Sequence, residues 1–360
     1  MSSKIITILL PTYQRPRLLK RAIQSVLSQS FDKLILRVYD NGNDDETQAL
    51  MQAILEKDNR VEYMRHQINI GCLANFHKLF ASVDSEYCML LSDDDFLLPG
   101  FLGTGHASLQ EHPQALFYSS ATLTCNLLNS TFQRKNSNWE HRVHFPSKKA
   151  TEKVLLEHFT STGTIFTKQL LDKTSGFHHL GLDEIFSVLI TGSFPFVADP
   201  NPGAAFTVHE KRLPFSGWLN ISLPQILLSY ANDQSIALSF ASEATKDLLL
   251  AYLWRKYSQL IDSKLLSAVR SDSTSEVLQS YSPHGRSHFS LSRSILFSLK
   301  RRIPDIVLAK ISNLKNSQSL PICPKYIEDI VDSNLSLYLN GEPLSEADTT
   351  ATLIRLLEII

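Results

Sequence analysis

Ser92-Asp93-Asp94-Asp95 follows directly on the apolar run Tyr87-Cys88-Met89-Leu90-Leu91, which reads as a buried strand. Three adjacent carboxylates repel one another and raise one another's pKa unless a cation or hydrogen-bond donors offset the repulsion. A hard divalent ion does so, because Mg2+ or Mn2+ favours oxygen ligands and is commonly held by one or two carboxylates plus substrate phosphates. The alternative is a solvated acidic turn, against which the strand-end position weighs.

Other polar groups fall at comparable places. The strand candidate Ile5 to Leu10 runs into Pro11-Thr12-Tyr13-Gln14-Arg15-Pro16, which sets hydroxyls, a ring and a guanidinium at a carboxyl end, where open α/β sheets bind ligands. No glycine precedes Gly42, so the glycine-rich dinucleotide loop is missing. The turn offers stacking and hydrogen bonds to a nucleoside, or else a helix entry with Thr12 as its cap. Asp40 ends a second strand candidate, Leu34 to Tyr39; its carboxylate suits a base imide N–H or ribose hydroxyls, or an ordinary polar turn. Asn69-Ile70-Gly71 with Asn75 sets carboxamides around a glycine turn at a helix start, either lining the same pocket or serving the turn alone.

These positions require a scaffold that brings several strand ends together. Up to about residue 120, short β-rich runs alternate with stretches of helical period, the signature of βαβ units around a mostly parallel sheet. After the first strand, Leu18, Leu19, Ala22, Ile23, Val26 and Leu27 fall on one helical face. Helices are also expected over Asp44 to Lys57 and Cys72 to Val83, with a strand over Val61 to Arg65. Further candidates are strands at Ala115 to Ser119 and Thr164 to Thr167, a polar stretch at Gln133 to His144, and a helix at Asp183 to Ile190. Of 13 glycines only Gly285 and Gly341 lie beyond Gly217, so turn-rich sequence gives way there to helix-rich sequence. This divides the chain into a catalytic α/β domain, 1–218, and a helical C-terminal region, 219–360, with a Ser-rich linker or loop at 271–290.

Composition excludes several classes. The 360 residues are 43% hydrophobic and 20% charged, which is ordinary for a folded globular protein. Thirty-five basic against 36 acidic residues leave a net charge of -1, so no global field points at nucleic acid. Cys72, Cys88, Cys125 and Cys323 form no C-x-x-C pair and are expected to be reduced thiols in a cytoplasmic protein. Neither a secretory leader nor a bilayer-spanning stretch is expected from the apolar runs. In the last third, Leu291, Ile295, Leu296 and Leu299 interleave with Arg293, Lys300, Arg301 and Arg302. Such a helix either packs on the catalytic domain or lies peripherally on anionic lipid at the inner face of a membrane.

Taken together, the motifs resemble family 2 glycosyltransferases of the GT-A fold, a Rossmann-like nucleotide-diphospho-sugar transferase architecture. Ile6 to Pro16 is similar to the family's opening strand and P-T-Y-N-R loop, with Gln14 in place of Asn. Leu27-Ser28-Gln29-Ser30, Asp40, Asn69-Ile70-Gly71 with Asn75, and Leu91 to Asp95 follow in the family's order. Gly176-Phe177, Asp183-Glu184, Gly192 and Val208-His209 resemble its acceptor-side helix and C-terminal histidine. The resemblance covers about residues 4 to 212.

It implies an inverting enzyme that moves a sugar from a nucleotide-diphosphate donor, UDP-sugar favoured, to a hydroxyl of a glycan or lipid-linked acceptor, as in polysaccharide biosynthesis. The donor's base and ribose are expected near Pro11, Thr12, Tyr13, Arg15, Asp40, Asn69, Gly71, Asn75 and Asp93. A Mn2+ or Mg2+ cofactor is expected on Asp94, with Asp95 and His209 in support and Lys211 or Arg212 adding positive charge. The acceptor hydroxyl needs a base, and Asp183 comes first, Glu184 second. Two departures stand out: Ser92 replaces a frequent acidic residue, and Asp183-Glu184 reverses the usual order. His178-His179, as adjacent loop imidazoles, are not expected to form a metal site. The rival readings are a non-catalytic nucleotide-sugar-binding module acting through its helical region, and a nucleotidyltransferase, which lacks here its Gly-rich phosphate loop.

Overall fold

The structure is a computed structural model that describes residues 6–42, 44–126, 131–174, 183–208, 241–242, 245 and 320–321. In chain order the first half contains β1 (Ile6–Thr12), α1 (Pro16–Leu27), β2 (Leu34–Asp40), α2 (Asp45–Leu55), β3 (Val61–Arg65), α3 (Cys72–Ala81), β4 (Tyr87–Leu90), β5 (Phe96–Leu97) and α4 (Phe101–Glu111). The second half adds β6 (Phe117–Asn126), β7 (Thr131–Lys135), β8 (Arg142–His144), α5 (Lys148–Leu156), a 3-10 turn (Ser161–Gly163), β9 (Thr164–Thr167), α6 (Lys168–Thr174), α7 (Asp183–Thr191), β10 (Phe196–Val208) and β11 (Leu320–Pro321).

One sheet organises these elements, in the order β11-β7-β6-β9-β4-β1-β2-β3, with β10 beside β6, β5 and β8. The strands β4, β1, β2 and β3 run parallel. Beyond β4 the direction reverses at β9, which is antiparallel to both β4 and β6, while β10 lies parallel to β6. The parallel half is built from the expected βαβ units. Strands β4, β1 and β2 are buried on both faces, whereas edge strand β3 alternates buried or half-buried with exposed residues; in β1, Ile6, Ile8 and Leu10 enter one apolar cluster while Leu9 enters the other. That split is the period-two alternation of a strand sandwiched between helical layers.

Helix α1 begins with Pro16 in its first turn and buries Leu19, Ala22, Ile23, Val26 and Leu27, the face foreseen from periodicity except for Leu18, which is only half-buried at its margin. Each such side chain contributes roughly 1.5–3 kcal/mol when fully buried, less for alanine. Helix α2 is capped by Asp44, whose side chain accepts the Thr47 amide at 2.7 Å.

Several expectations change. Strand β1 continues through Pro11 and Thr12, which pair in register with Tyr39 and Asp40; Pro11 is tolerated near the strand's end, where fewer ladder bonds are needed. Thr12 is no helix cap: Arg15 holds the N-cap position of α1 without a side-chain cap bond. The polar stretch 133–144 contains β7 and β8, and the strand foreseen at 115–119 extends to Asn126. The apolar strand that leads to His209 is β10, longer than its pattern suggests because Asp199-Pro200-Asn201-Pro202 interrupts it and register shifts at Asp199/Pro202 and Pro202/Ala204 absorb the interruption. The expected helical region lies almost wholly outside the described residues. Within it, Thr245 bonds the Gly192 carbonyl at 3.4 Å and Leu320 pairs with Phe132 in the sheet.

Candidate active site

Parallel pairing brings four strand ends to one edge. Thr12 lies opposite Asp40, the Asn41 amide bonds the Thr12 carbonyl at 2.9 Å, the His66 amide bonds the Asp40 carbonyl at 2.9 Å, and the Leu91 amide bonds the Leu9 carbonyl at 2.9 Å. Hydrogen-bonding geometry therefore places the turns at 12–16, 40–42, 66–71 and 92–95 side by side.

At the centre, Arg15 joins two carboxylates. Its Nε donates to Asp93 Oδ2 at 3.1 Å, its Nη1 donates to Asp94 Oδ2 at 3.0 Å, and its Nη2 donates to Asp93 Oδ1. Thr12 Oγ1 donates to Asp93 Oδ2 at 2.7 Å. Asp93 is 1% exposed. Burial pushes its carboxyl up to about 6, and the Arg15 charge and the Thr12 hydroxyl only partly offset that. Burial also works against the Arg15 charge, but the two carboxylates outweigh it and hold the guanidinium above its ordinary pKa. Gln14 reaches this turn with a positive φ of 52°, and Tyr13 stands 45% exposed beside it, its ring open for stacking.

Asp40 is buried, which raises its carboxyl, while Tyr63 Oη donates to Oδ2 at 2.7 Å and the Gly42 amide to Oδ1 at 2.8 Å. Neighbouring carboxamides lock the next two turns together. Asn41 Nδ2 donates to Asn69 Oδ1 at 2.9 Å, the Ile70 amide to Asn41 Oδ1 at 2.9 Å, and the Gly71 amide to Asn69 Oδ1 at 2.8 Å. Gly71 adopts φ +84°, the left-handed region that favours glycine. Asn75 is 3% exposed; it donates to the Tyr39 carbonyl at 3.1 Å and meets His66 Nε2 at 2.9 Å. It fastens the edge from beneath.

Asp95 points elsewhere. It is 0% exposed, Thr162 Oγ1 donates to Oδ2 at 2.7 Å, and the Thr207 amide donates to Oδ1 at 2.8 Å. Asp183 and Glu184 open α7. His209, Lys211, Arg212 and the pair His178-His179 lie outside the described residues.

Sequence reading passed over Asn41, Tyr63, Thr162 and Thr207, whose roles depend on contacts across the sheet. It also passed over Arg21 and Ser25, polar residues four apart on an otherwise apolar face and in step with Gln29 of the Leu27-Ser28-Gln29-Ser30 motif; that spacing was a usable signal.

Among the described residues no group of three or more His, Cys, Asp or Glu gathers to hold a metal. Cys88 and Cys125 are buried free thiols and Cys72 an exposed one. Among the described residues no helix is long and apolar enough to cross a membrane.

A sheet of this topology, with polar turns gathered at the carboxyl edge of its parallel half, defines a GT-A fold. The fold resembles the crystal structure of S. aureus TarS 1-349, with a TM-score of 0.53 and 13% identity over 94% of this chain and 92% of that one. Residues 7–175 match the family model described as glycosyl transferase family 2. The chain is 32% identical over 100 residues to the GalNAc(5)-diNAcBac-PP-undecaprenol beta-1,3-glucosyltransferase of Campylobacter jejuni, covering 28% of this chain and 32% of that protein. It is 26% identical over 110 residues to the glycosyltransferase GlyG of Streptococcus pneumoniae, covering 30% of this chain and 36% of that one. The matched segment thus spans about a third of the length of these curated relatives.

Proposed function

We propose that the protein is an inverting, metal-dependent glycosyltransferase that transfers a sugar from a nucleotide-diphosphate donor, a UDP-sugar favoured, to a hydroxyl of a glycan or lipid-linked acceptor. The observation that carries this reading is the convergence of Thr12, Arg15, Asp40, Asp93 and Asp94 at one sheet edge within the family 2 segment.

Asp40 and Asp93 are the acceptors for base and ribose donors, and Tyr13 supplies a ring face for the base. Asn41 and Asn69 fix the turn that closes over them. Asp94 and His209 would hold a Mn2+ or Mg2+ ion, which supplies Lewis-acid stabilisation of the diphosphate leaving group. Arg15 holds positive charge against Asp93 and Asp94 until the donor arrives, and its guanidinium matches phosphate as well as carboxylate. Asp183, at the start of α7, accepts the proton of the acceptor hydroxyl as that oxygen attacks the sugar, with Glu184 as the alternative base. The catalytic domain of this reading is 1–218. The helical region 219–360 follows, and its basic stretch 291–302 contacts anionic lipid if the acceptor is lipid-linked; co-sedimentation with anionic vesicles, lost on neutralising Lys300, Arg301 and Arg302, tests that contact.

Calorimetric titration of UDP, GDP and their common sugar conjugates, with Mn2+ and then with chelator, tests the core of the proposal. Metal-dependent binding of one nucleotide that Asp94→Ala abolishes is the expected result. Asp183→Ala should bind donor nearly as the parent does and fail to transfer. Transfer at the parental rate by Asp183→Ala overturns the base assignment, and no nucleotide binding in any condition overturns the enzyme reading.

A further inference from the structure

The turn that carries Asp93 and Asp94 is gripped from two sides by groups that never reach the site surface. From α1 and the turn that follows it, Arg21 Nη2 donates to the Asp94 carbonyl at 2.6 Å, Ser25 Oγ accepts the Leu97 amide at 3.0 Å, and Gln29 Nε2 donates to the Leu98 carbonyl at 2.9 Å. These three side chains are 6%, 3% and 7% exposed. They form a stripe one helical turn apart that follows the chain from 94 to 98. Arg21 also lies with its guanidinium carbon 5.2 Å from the centre of the Phe96 ring and Nη2 3.4 Å from Thr207 Oγ1.

From the other side, Asp95 receives Thr162 Oγ1 from the 3-10 turn and the Thr207 amide from β10. The short strand β5 continues the attachment, with Phe96 opposite Ala205 and Leu97 opposite Ala204. Thr207 thus meets both Arg21 and Asp95, two residues before His209.

We infer that Asp95 and Arg21 are positioning residues that fix the Asp93 and Asp94 carboxylates against the end of β10, and that the Asp95 carboxylate works inside the protein instead of on the ion. This rests on the proposed glycosyltransferase reading and deepens it. A carboxylate with both oxygens on buried donors makes charge-assisted bonds. Pulling it round to an ion would leave the Thr162 hydroxyl and the Thr207 amide buried without acceptors, which is costly. Asp94, by contrast, accepts Arg15 Nη1 at 3.0 Å from the turn after β1, on the side of the candidate site.

Thr162→Val is the decisive variant, because it deletes one donor, keeps the shape and leaves every carboxylate in place. Thr162→Ser restores the hydroxyl. Asp95→Asn is the harsher companion, since one of its two polar atoms becomes a donor facing a donor. Two measurements on the full chain are compared: amide hydrogen exchange over 92–97 and 204–207, and calorimetric affinity for UDP with Mn2+. In Thr162→Val both segments should lose protection together, about tenfold, and affinity should fall roughly ten- to hundredfold, the usual effect of removing a partner behind a metal ligand. Thr162→Ser should return both to parental values.

Unchanged or tighter UDP and Mn2+ binding in Thr162→Val, despite altered exchange, overturns the inference, because a freed Asp95 oxygen would then be serving the ion. Unchanged exchange overturns it as well. If the parent binds no nucleotide with Mn2+, the functional reading fails separately and exchange alone decides the clamp: a joint rise upholds it and independent behaviour of the two segments sinks it.

Discussion

Arg15 and Asp93 are 78 residues apart in sequence, yet the guanidinium grips both oxygens of that carboxylate, with Nε 3.1 Å from Oδ2. The pair joins the turn after β1 to the turn after β4, and a third guanidinium nitrogen reaches Asp94. Arg15 therefore ties the two turns together electrostatically. Arg15→Gln should destabilise the protein by about 2–4 kcal/mol at neutral pH, because it leaves a buried carboxylate uncompensated. Arg15→Lys should recover only part of that, since an ammonium cannot make the forked contact. Urea denaturation of the three proteins checks both statements.

The same carboxyl gives the protein a pH signature. Burial raises Asp93 from 3.8 to about 6, so the folded chain holds a proton that the unfolded chain releases. Its contribution to stability is fully present below about pH 4 and is lost as pH rises through about 6. Relative to Asp93→Asn, the parent should lose on the order of 2–3 kcal/mol between pH 4 and 7. Parallel denaturation curves of parent and variant across that range would remove the assignment.

Tyr63 and Asp40 separate donor binding from turn closure. Tyr63→Phe removes one hydroxyl donor and should cost about 1 kcal/mol of stability, leaving the Gly42 amide on Asp40. Asp40→Ala should weaken calorimetric UDP binding more than tenfold. If Asp40→Ala binds UDP as the parent does, Asp40 serves only to close the 40–42 turn.

Gly203 tests how tightly β10 is seated. A Cβ there would lie 2.3 Å from Phe101 Cδ2 and 2.6 Å from Ser120 Oγ, and the Gly203 carbonyl accepts the Leu98 amide at 2.9 Å. Gly203→Ala should destabilise the fold by about 1–3 kcal/mol through overpacking. It should also weaken UDP and Mn2+ binding by shifting the turn at 92–98. A melting temperature equal to the parent's would contradict this packing.

Local pattern determined the parallel half of the fold. Alternating apolar runs and one-sided helices specify βαβ units, and polar residues at strand ends mark the edge that carries the candidate site, because those signals are written in neighbouring residues. Thr12, Arg15, Asp40 and Asp93 were legible on that basis and on the family resemblance. Only the tertiary structure decided how the three adjacent carboxylates divide. Asp93 turns to Arg15 and Thr12, Asp94 shares Arg15, and Asp95 turns inward to Thr162 and Thr207. Successive side chains after a strand point in different directions, and which partners meet them is set by a 3-10 turn and a strand 67 and 112 residues away. The same holds for β10, whose prolines and bulge hide its period, and whose existence depends on pairing with β6 over most of its length. Residue type announced charge and hydrogen-bonding capacity; packing chose what each group would be used for.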